Sequence, residues 1–171
     1  APGDFNVADV VPTADAADID ERITLDLALR MNWQHFECLA GALWSKRGYD
    51  CYRTPGTNDN GVDVVALLDT KGQLIQAKTS GTDGAMLGWE AVKDVVTGEA
   101  FYRRRHPGVT FEKVCITNQF FNRQARENAM LNAVELMDQT RLAELLATHA
   151  VTMLEVERML FAEWSSEAVV V

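Results

Sequence analysis

The sequence predicts an α/β layer structure around a mixed sheet. Short apolar runs of strand length alternate with segments whose apolar residues recur at helical spacing, which implies helices packed on a sheet. A meander of three strands precedes that alternation, so antiparallel as well as parallel neighbours are expected. The runs Val62 to Leu68 and Gln73 to Lys78 are apolar on both faces, as central strands covered on each side should be.

The first amphipathic helix is expected over about Asp20 to Arg30, with Asp18 or Asp20 as N-cap. Asn32 can cap a second helix, Trp33 to Lys46, whose Phe36, Leu39, Ala40 and Leu43 fall at i, i+3, i+4 and i+7 and which Gly48 ends. Tyr49 to Arg53 reads as a strand entering a turn-rich loop, Thr54 to Gly61. The two apolar runs follow, joined by Asp69-Thr70-Lys71-Gly72. A glycine-rich loop then reaches Gly88, and a helix from about Trp89 to Arg105 is broken by His106-Pro107-Gly108. Glu112 to Thr117 is a strand, Asn122 to Leu131 a helix, Ala133 to Met137 a short strand and Thr140 to Thr148 a helix. The last helix, Val151 to Trp164, carries the stripe Met153, Val156, Leu160 and Trp164, suited to packing on this domain or on a partner. The organisation expected is an acidic arm (1–19), one folded domain (20–150) and a C-terminal helical extension and tail (151–171).

A length of 171 residues and an apolar fraction of 47% suit a single sizeable core. No apolar stretch approaches the roughly 20 residues needed to span a bilayer, and no N-terminal signal pattern is present, so a cytoplasmic protein without membrane partners is expected. Cys38, Cys51 and Cys115 are odd in number and widely separated, which reads as free thiols rather than a zinc site. The net charge of −9 is unfavourable for a polyanion partner. Much of it is local: residues 1–21 carry six acidic and no basic side chains, leaving −3 for the rest.

The chemistry-bearing pattern is Asp63 followed by Gln76-Ala77-Lys78. Paired as a hairpin about the intervening turn, Asp63 would fall opposite Lys78 and Gln76 opposite Val65, placing Asp63, Gln76 and Lys78 on one face. Charge in so apolar a setting needs a partner. Two readings fit the spacing: a cross-strand ion pair with Gln76 as a satisfied polar neighbour, or a divalent-metal site with a lysine that positions water.

Around this pattern stand Phe36-Glu37-Cys38-Leu39, Gly48-Tyr49, Asp59-Asn60-Gly61-Val62-Asp63, Val92-Lys93-Asp94-Val95, Gly98 and Ile116-Thr117-Asn118, followed by Phe121, Ala125, Ala129 and Leu136-Met137-Asp138. In that order and spacing, from about Trp33 to Leu146, the chain resembles the Mrr-like restriction endonuclease catalytic domain, a branch of the PD-(D/E)XK nuclease superfamily. The resemblance implies a restriction-endonuclease-like three-layer core, with helices flanking the mixed sheet and the active site where the central strands splay. It implies Asp63 as the anionic ligand of Mg²⁺, with Mn²⁺ able to substitute, and the Ala77 backbone carbonyl as a second oxygen ligand. Gln76 would offer a neutral amide oxygen where many relatives have a carboxylate, and Lys78 would orient water or stabilise developing charge. Glu37, on the first core helix, would point toward the metal; its alternative is a solvated helix carboxylate. Asp59 sits in turn chemistry that needs no metal.

DNA is the partner this implies. Asn118 can cap the following helix, whose N-terminal amides together with Arg123 could bind a backbone phosphate. Arg103-Arg104-Arg105-His106 can cap a helix C-terminus or meet phosphate. His35, His106 and His149 are too dispersed to form a ligand set, and the four tryptophans suit a core or interface. The expected function is a metal-dependent DNA endonuclease of restriction or defence, helped by a targeting domain or partner protein. The alternatives are a junction resolvase, which would require a homodimer, and a non-catalytic DNA-binding or assembly module.

Overall fold

The computed structural model describes residues 21–54, 56 and 60–166, with side chains through Phe161. The arm, the caps expected at Asp18 or Asp20, and Asp59 and Trp164 as side chains lie outside that description. In chain order the elements are α1 (Leu25–Arg30), α2 (Trp33–Lys46), β1 (Asp50–Arg53), β2 (Val64–Leu68), β3 (Lys71–Lys78), β4 (Met86–Leu87) and a 3-10 turn (Trp89–Ala91). They continue with α3 (Lys93–Arg105), β5 (Thr110–Thr117), β6 (Phe120–Phe121), α4 (Arg123–Leu131), β7 (Val134–Met137), α5 (Gln139–Thr148) and α6 (Met153–Ser166).

The main sheet has the order β1-β2-β3-β5-β7, antiparallel across β1, β2 and β3 and parallel from β3 to β7. That is the mixed sheet expected of a meander followed by helical crossovers. One face, with Val64, Ala66, Ile75, Ala77, Val114 and Ile116, packs on α2 and α5. The other, with Val65, Leu74 and Cys115, packs on α3 and α4 through residues such as Val95, Tyr102, Ala125 and Ala129. The result is three layers. Val62 precedes the strand and joins the second cluster. Helix α6 packs on this domain: Val156 and Met159 are buried in the α2 cluster, and a Cβ on Gly41 of α2 would meet the Met159 methyl at 2.5 Å.

Local differences from the sequence reading have local causes. Helix α1 starts at Leu25 because residues 21–23 are drawn into extended pairing, Ile23 N–H to the Val151 carbonyl and Met153 N–H to the Glu21 carbonyl; Thr24 then caps the helix. Asn32 caps α2 as expected, accepting from His35 N–H. Asn122, not Asn118, caps α4, accepting from Ala125 N–H at 2.8 Å. Trp44 is wholly buried, whereas Trp33 at the first turn of α2 is 56% exposed and fills no core.

The hairpin turn is tighter than expected. Asp69 adopts φ +55°, which Asp tolerates, so Asp69 and Thr70 alone connect β2 to β3 and Leu68 pairs with Lys71. The register therefore moves by two residues: Val64 pairs with Ile75, and Asp63, just outside the strand, meets the Ile75 carbonyl rather than standing opposite Lys78. A slip of two leaves every side chain on its face.

Candidate active site

Strand β3 outruns β2, and that inequality builds the site. Lys71 to Ile75 pair with β2, whereas Gln76, Ala77 and Lys78 are flanked by β5 alone, opposite Cys115, Ile116 and Thr117. Two polar groups of Asp63 take up the vacated edge. Its N–H donates to the Ile75 carbonyl at 2.8 Å, one residue off the β2–β3 register, and its Oδ2 accepts the Ala77 N–H at 2.7 Å. A carboxylate thus occupies the place where the ladder would have put a carbonyl.

The approach to Asp63 is fixed from both sides. Thr54, just past β1, donates its N–H to the Asp63 carbonyl at 3.1 Å and its hydroxyl to the Val62 carbonyl. On the other side α3 presses directly on the preceding turn: Cβ atoms on Gly61, at φ +77°, and on Gly98 would clash with the backbones of Asp94 and Asn60. Both glycines are needed for that close approach.

Gln76 is 2% exposed, and its side-chain oxygen Oε1 is buried without a hydrogen-bond partner among the described residues. Lys78 is half-buried at the strand end, and among the described residues its ammonium group forms no hydrogen bond or ion pair. By alternation along β3, Gln76 and Lys78 share one face, and Asp63, just outside β2, reaches that strand end through the Ala77 N–H. Cys115, opposite Gln76, feels both charged groups, but burial dominates and pushes its thiol up to about 12, so it is an inert wall.

Glu37 is on α2, and its Oε2 is 2.8 Å from Arg53 Nη2, with the side chains only 13% and 5% exposed. It is neither a solvated helix carboxylate nor an uncommitted ligand. Arg53 was missed in the sequence reading; its partner lies on another element, and buried charge demands such a counter-ion.

The expected DNA contact Asn118 is corrected. Its side chain is wholly buried, accepting from Ser80 N–H at 3.0 Å and donating to the Ala28 and Leu29 carbonyls at 3.4 and 3.5 Å, so it faces no phosphate. Arg123 does face solvent at the start of α4, its side chain 85% exposed and paired with Glu127 at 2.6 Å. Arg103, Arg104 and Arg105 close α3 beside Thr110, which pairs with Lys71; they therefore lie at the opposite end of β3 from Lys78. Eight residues of strand separate the two ends by roughly 23 Å.

Among the described residues no three His, Cys, Asp or Glu side chains cluster to hold a metal. Any cation here would depend on Asp63, amide oxygen and backbone carbonyl. The donor types fit such an ion: the Asp63 carboxylate and the buried Gln76 amide oxygen, without a hydrogen-bond partner among the described residues, are both hard oxygens. Among the described residues no helix is long and apolar enough to cross a membrane.

Residues 28–146 match the family model of the restriction endonuclease domain Mrr_cat. No curated protein matches the sequence. Among solved structures, the fold is similar to the MspJI restriction endonuclease in complex with a 27-mer oligonucleotide (TM-score 0.53, 19% identity, 96% of this chain and 39% of that one). It is also similar to the DNA modification-dependent restriction endonuclease AspBHI (TM-score 0.52, 20% identity, 83% and 39%). A protein of unknown function, AF1548, matches at TM-score 0.50 and 19% identity over 64% of this chain and 59% of its own. The chain thus spans less than two thirds of the length of each. These likenesses show the fold; the family match takes in the whole sheet and every residue of the site. The chain belongs to the Mrr_cat family of restriction endonuclease domains.

Proposed function

We propose that this domain hydrolyses DNA phosphodiester bonds in restriction or defence, and that the PD-(D/E)XK-type set Asp63, Gln76 and Lys78 performs the chemistry around a divalent cation. The observation that carries this reading is the buried Gln76 Oε1. A buried amide oxygen left without a donor costs about 1–3 kcal/mol, and a bound cation beside Asp63 would recover it. Asp63, Gln76 and the Ala77 carbonyl would hold Mg²⁺, or Mn²⁺ in its place. Bound there, the ion would supply Lewis-acid neutralisation of charge on the phosphodiester.

The remaining work falls to the chain. The Ala77 N–H fixes the Asp63 carboxylate, so its geometry needs little reorganisation when substrate arrives. Lys78 offers an ammonium uncommitted to other described residues, able to orient water or to meet negative charge as it develops on phosphate oxygens. Glu37 contributes as a carboxylate clamped by Arg53, one residue before the Thr54 amide that holds Asp63 in place. Gln76 in place of a carboxylate lowers the negative charge of the site, so cation binding should strengthen when a substrate phosphate is present.

The acidic balance favours a second reading, a non-catalytic module on the same fold, and it also implies that a targeting domain or partner supplies DNA affinity. Titrating Mg²⁺ and Mn²⁺ over plasmid and branched DNA separates these. Cation-dependent cleavage of plasmid supports an endonuclease; cleavage confined to branched DNA supports a resolvase. DNA binding without cleavage at any cation concentration would leave the module.

A further inference from the structure

We propose that Asn118 is a positioning residue that fixes Lys78 by tying the end of β3 to α1. The inference rests on the role given to Lys78 above. Lys78 is the last residue of β3, and the β3–β5 ladder ends with its pairing to Thr117. Strand ends open more readily than strand interiors, so a lysine there needs something beyond the ladder to hold its backbone.

Asn118 supplies that hold. Its Oδ1 accepts the N–H of Ser80, two residues past Lys78, at 3.0 Å. Its Nδ2 donates toward the Ala28 and Leu29 carbonyls at 3.4 and 3.5 Å, in the last turn of α1 where carbonyls lack intrahelical partners. Only an amide offers an acceptor and two donors on one short planar group. Aspartate would turn an oxygen toward two carbonyls, and leucine would strand buried backbone groups on both sides.

The neighbouring residue repeats the arrangement. Buried Gln119 accepts the Gly84 N–H at 3.0 Å through its side chain, and its carbonyl accepts the Gln139 N–H at 2.7 Å. Gln139 Nε2 donates in turn to the Asn118 carbonyl at 3.1 Å. The segment leaving Lys78 is therefore held at Ser80 and at Gly84 from a base that α5 itself anchors. Asn118 touches no substrate; it acts through Lys78.

The experiment measures the acylation rate of each lysine in the DNA-free chain by mass spectrometry, alongside steady-state cleavage. In Asn118→Ala, Lys78 should label several-fold faster while Lys46, Lys71, Lys93 and Lys113 keep their rates. Cleavage should lose about tenfold or more in kcat with KM for DNA unchanged. In a Lys78→Ala background the same substitution should add no further loss, since the two act as a unit. If Asn118→Ala does not fold, Asn118→Ser, which keeps a hydroxyl for the buried groups, goes through the same measurements. Parental Lys78 labelling in a folded variant, or equal acceleration of all five lysines, overturns the proposal. If the parent chain cleaves no DNA, the endonuclease reading fails by itself, and the labelling still decides whether Asn118 holds Lys78.

Discussion

Gln73 and Gln76 lie three residues apart on β3, both buried, on opposite faces of the sheet. On the α2 face the Gln73 amide is used at both ends, accepting from the Trp44 indole at 2.5 Å and donating to Glu112 at 3.1 Å. On the α3 face the Gln76 oxygen has no donor among the described residues and sits on the same strand end as the Asp63 carboxylate. The same side chain at the same depth thus has two meanings. A satisfied buried amide is packing, and an unsatisfied one is the observation on which the proposed cation site rests.

The most drastic way to break that contrast is to remove the carboxylate. Asp63→Asn should lower cation-dependent cleavage by about 10³-fold, equivalent to about 4 kcal/mol, because the anionic ligand is lost while shape and an acceptor for the Ala77 N–H remain. Urea unfolding should show a midpoint at or above that of the parent. Near-parental cleavage would remove Asp63 from the site.

The satisfied side can be broken with the buried ion pair. Arg53→Met should cost about 3–5 kcal/mol in urea unfolding, since Glu37 would keep a buried charge without this guanidinium. Replacing both, Glu37→Leu with Arg53→Met, should recover most of that stability. A single substitution no more costly than the double would show the pair to be incidental.

The two glutamines themselves sharpen the comparison further. Gln73→Leu should destabilise by about 1–3 kcal/mol, because the Trp44 N–H loses its acceptor, and should leave Mn²⁺ binding intact. Gln76→Leu should cost little stability or none, yet weaken Mn²⁺ binding measured by calorimetry; Gln76→Glu should strengthen it through added charge. Identical Mn²⁺ affinities in the parent and both Gln76 variants would remove Gln76 from the ligand set.

The smallest effect lies away from the site. Tyr52 and His106 Nε2 are 2.7 Å apart, and burial, then Arg105, hold the imidazole below its ordinary 6.5. The unfolded chain therefore binds the proton more readily. This contribution to stability is present above about pH 6.5 and is lost as pH falls through the lowered folded value. Thermal melts of parent and His106→Gln between pH 7 and pH 5 should show a slightly shallower acid loss in the variant, and cleavage of DNA at neutral pH should be unaffected.

How far the sequence reached can be followed along β3. The alternation of side chains put Gln76 and Lys78 on one face although the register was off by two residues, because a period of two is indifferent to an even slip. The Asn32 cap and the α2 stripe were equally legible, being set by neighbours within a turn. Asn118 was not. A residue between a strand and a helix has the local signature of a cap, and only the arrival of Ser80 and α1 from distant parts of the chain makes it a buried brace. Arg53 was missed for the same reason, since its partner Glu37 is 16 residues away on another element.

By itself, then, the sequence determined the α/β alternation and the face that each strand residue takes, which follow from the fixed periods of strand and helix, and its motifs carried the resemblance to the family. The tertiary structure decided the two-residue turn and its register, the carboxylate that replaces a ladder carbonyl at Ala77, and the difference between Gln73 and Gln76. Hydrogen-bond satisfaction is a property of atoms that converge from separate segments, and no local spacing encodes which buried amide will be left waiting for a partner.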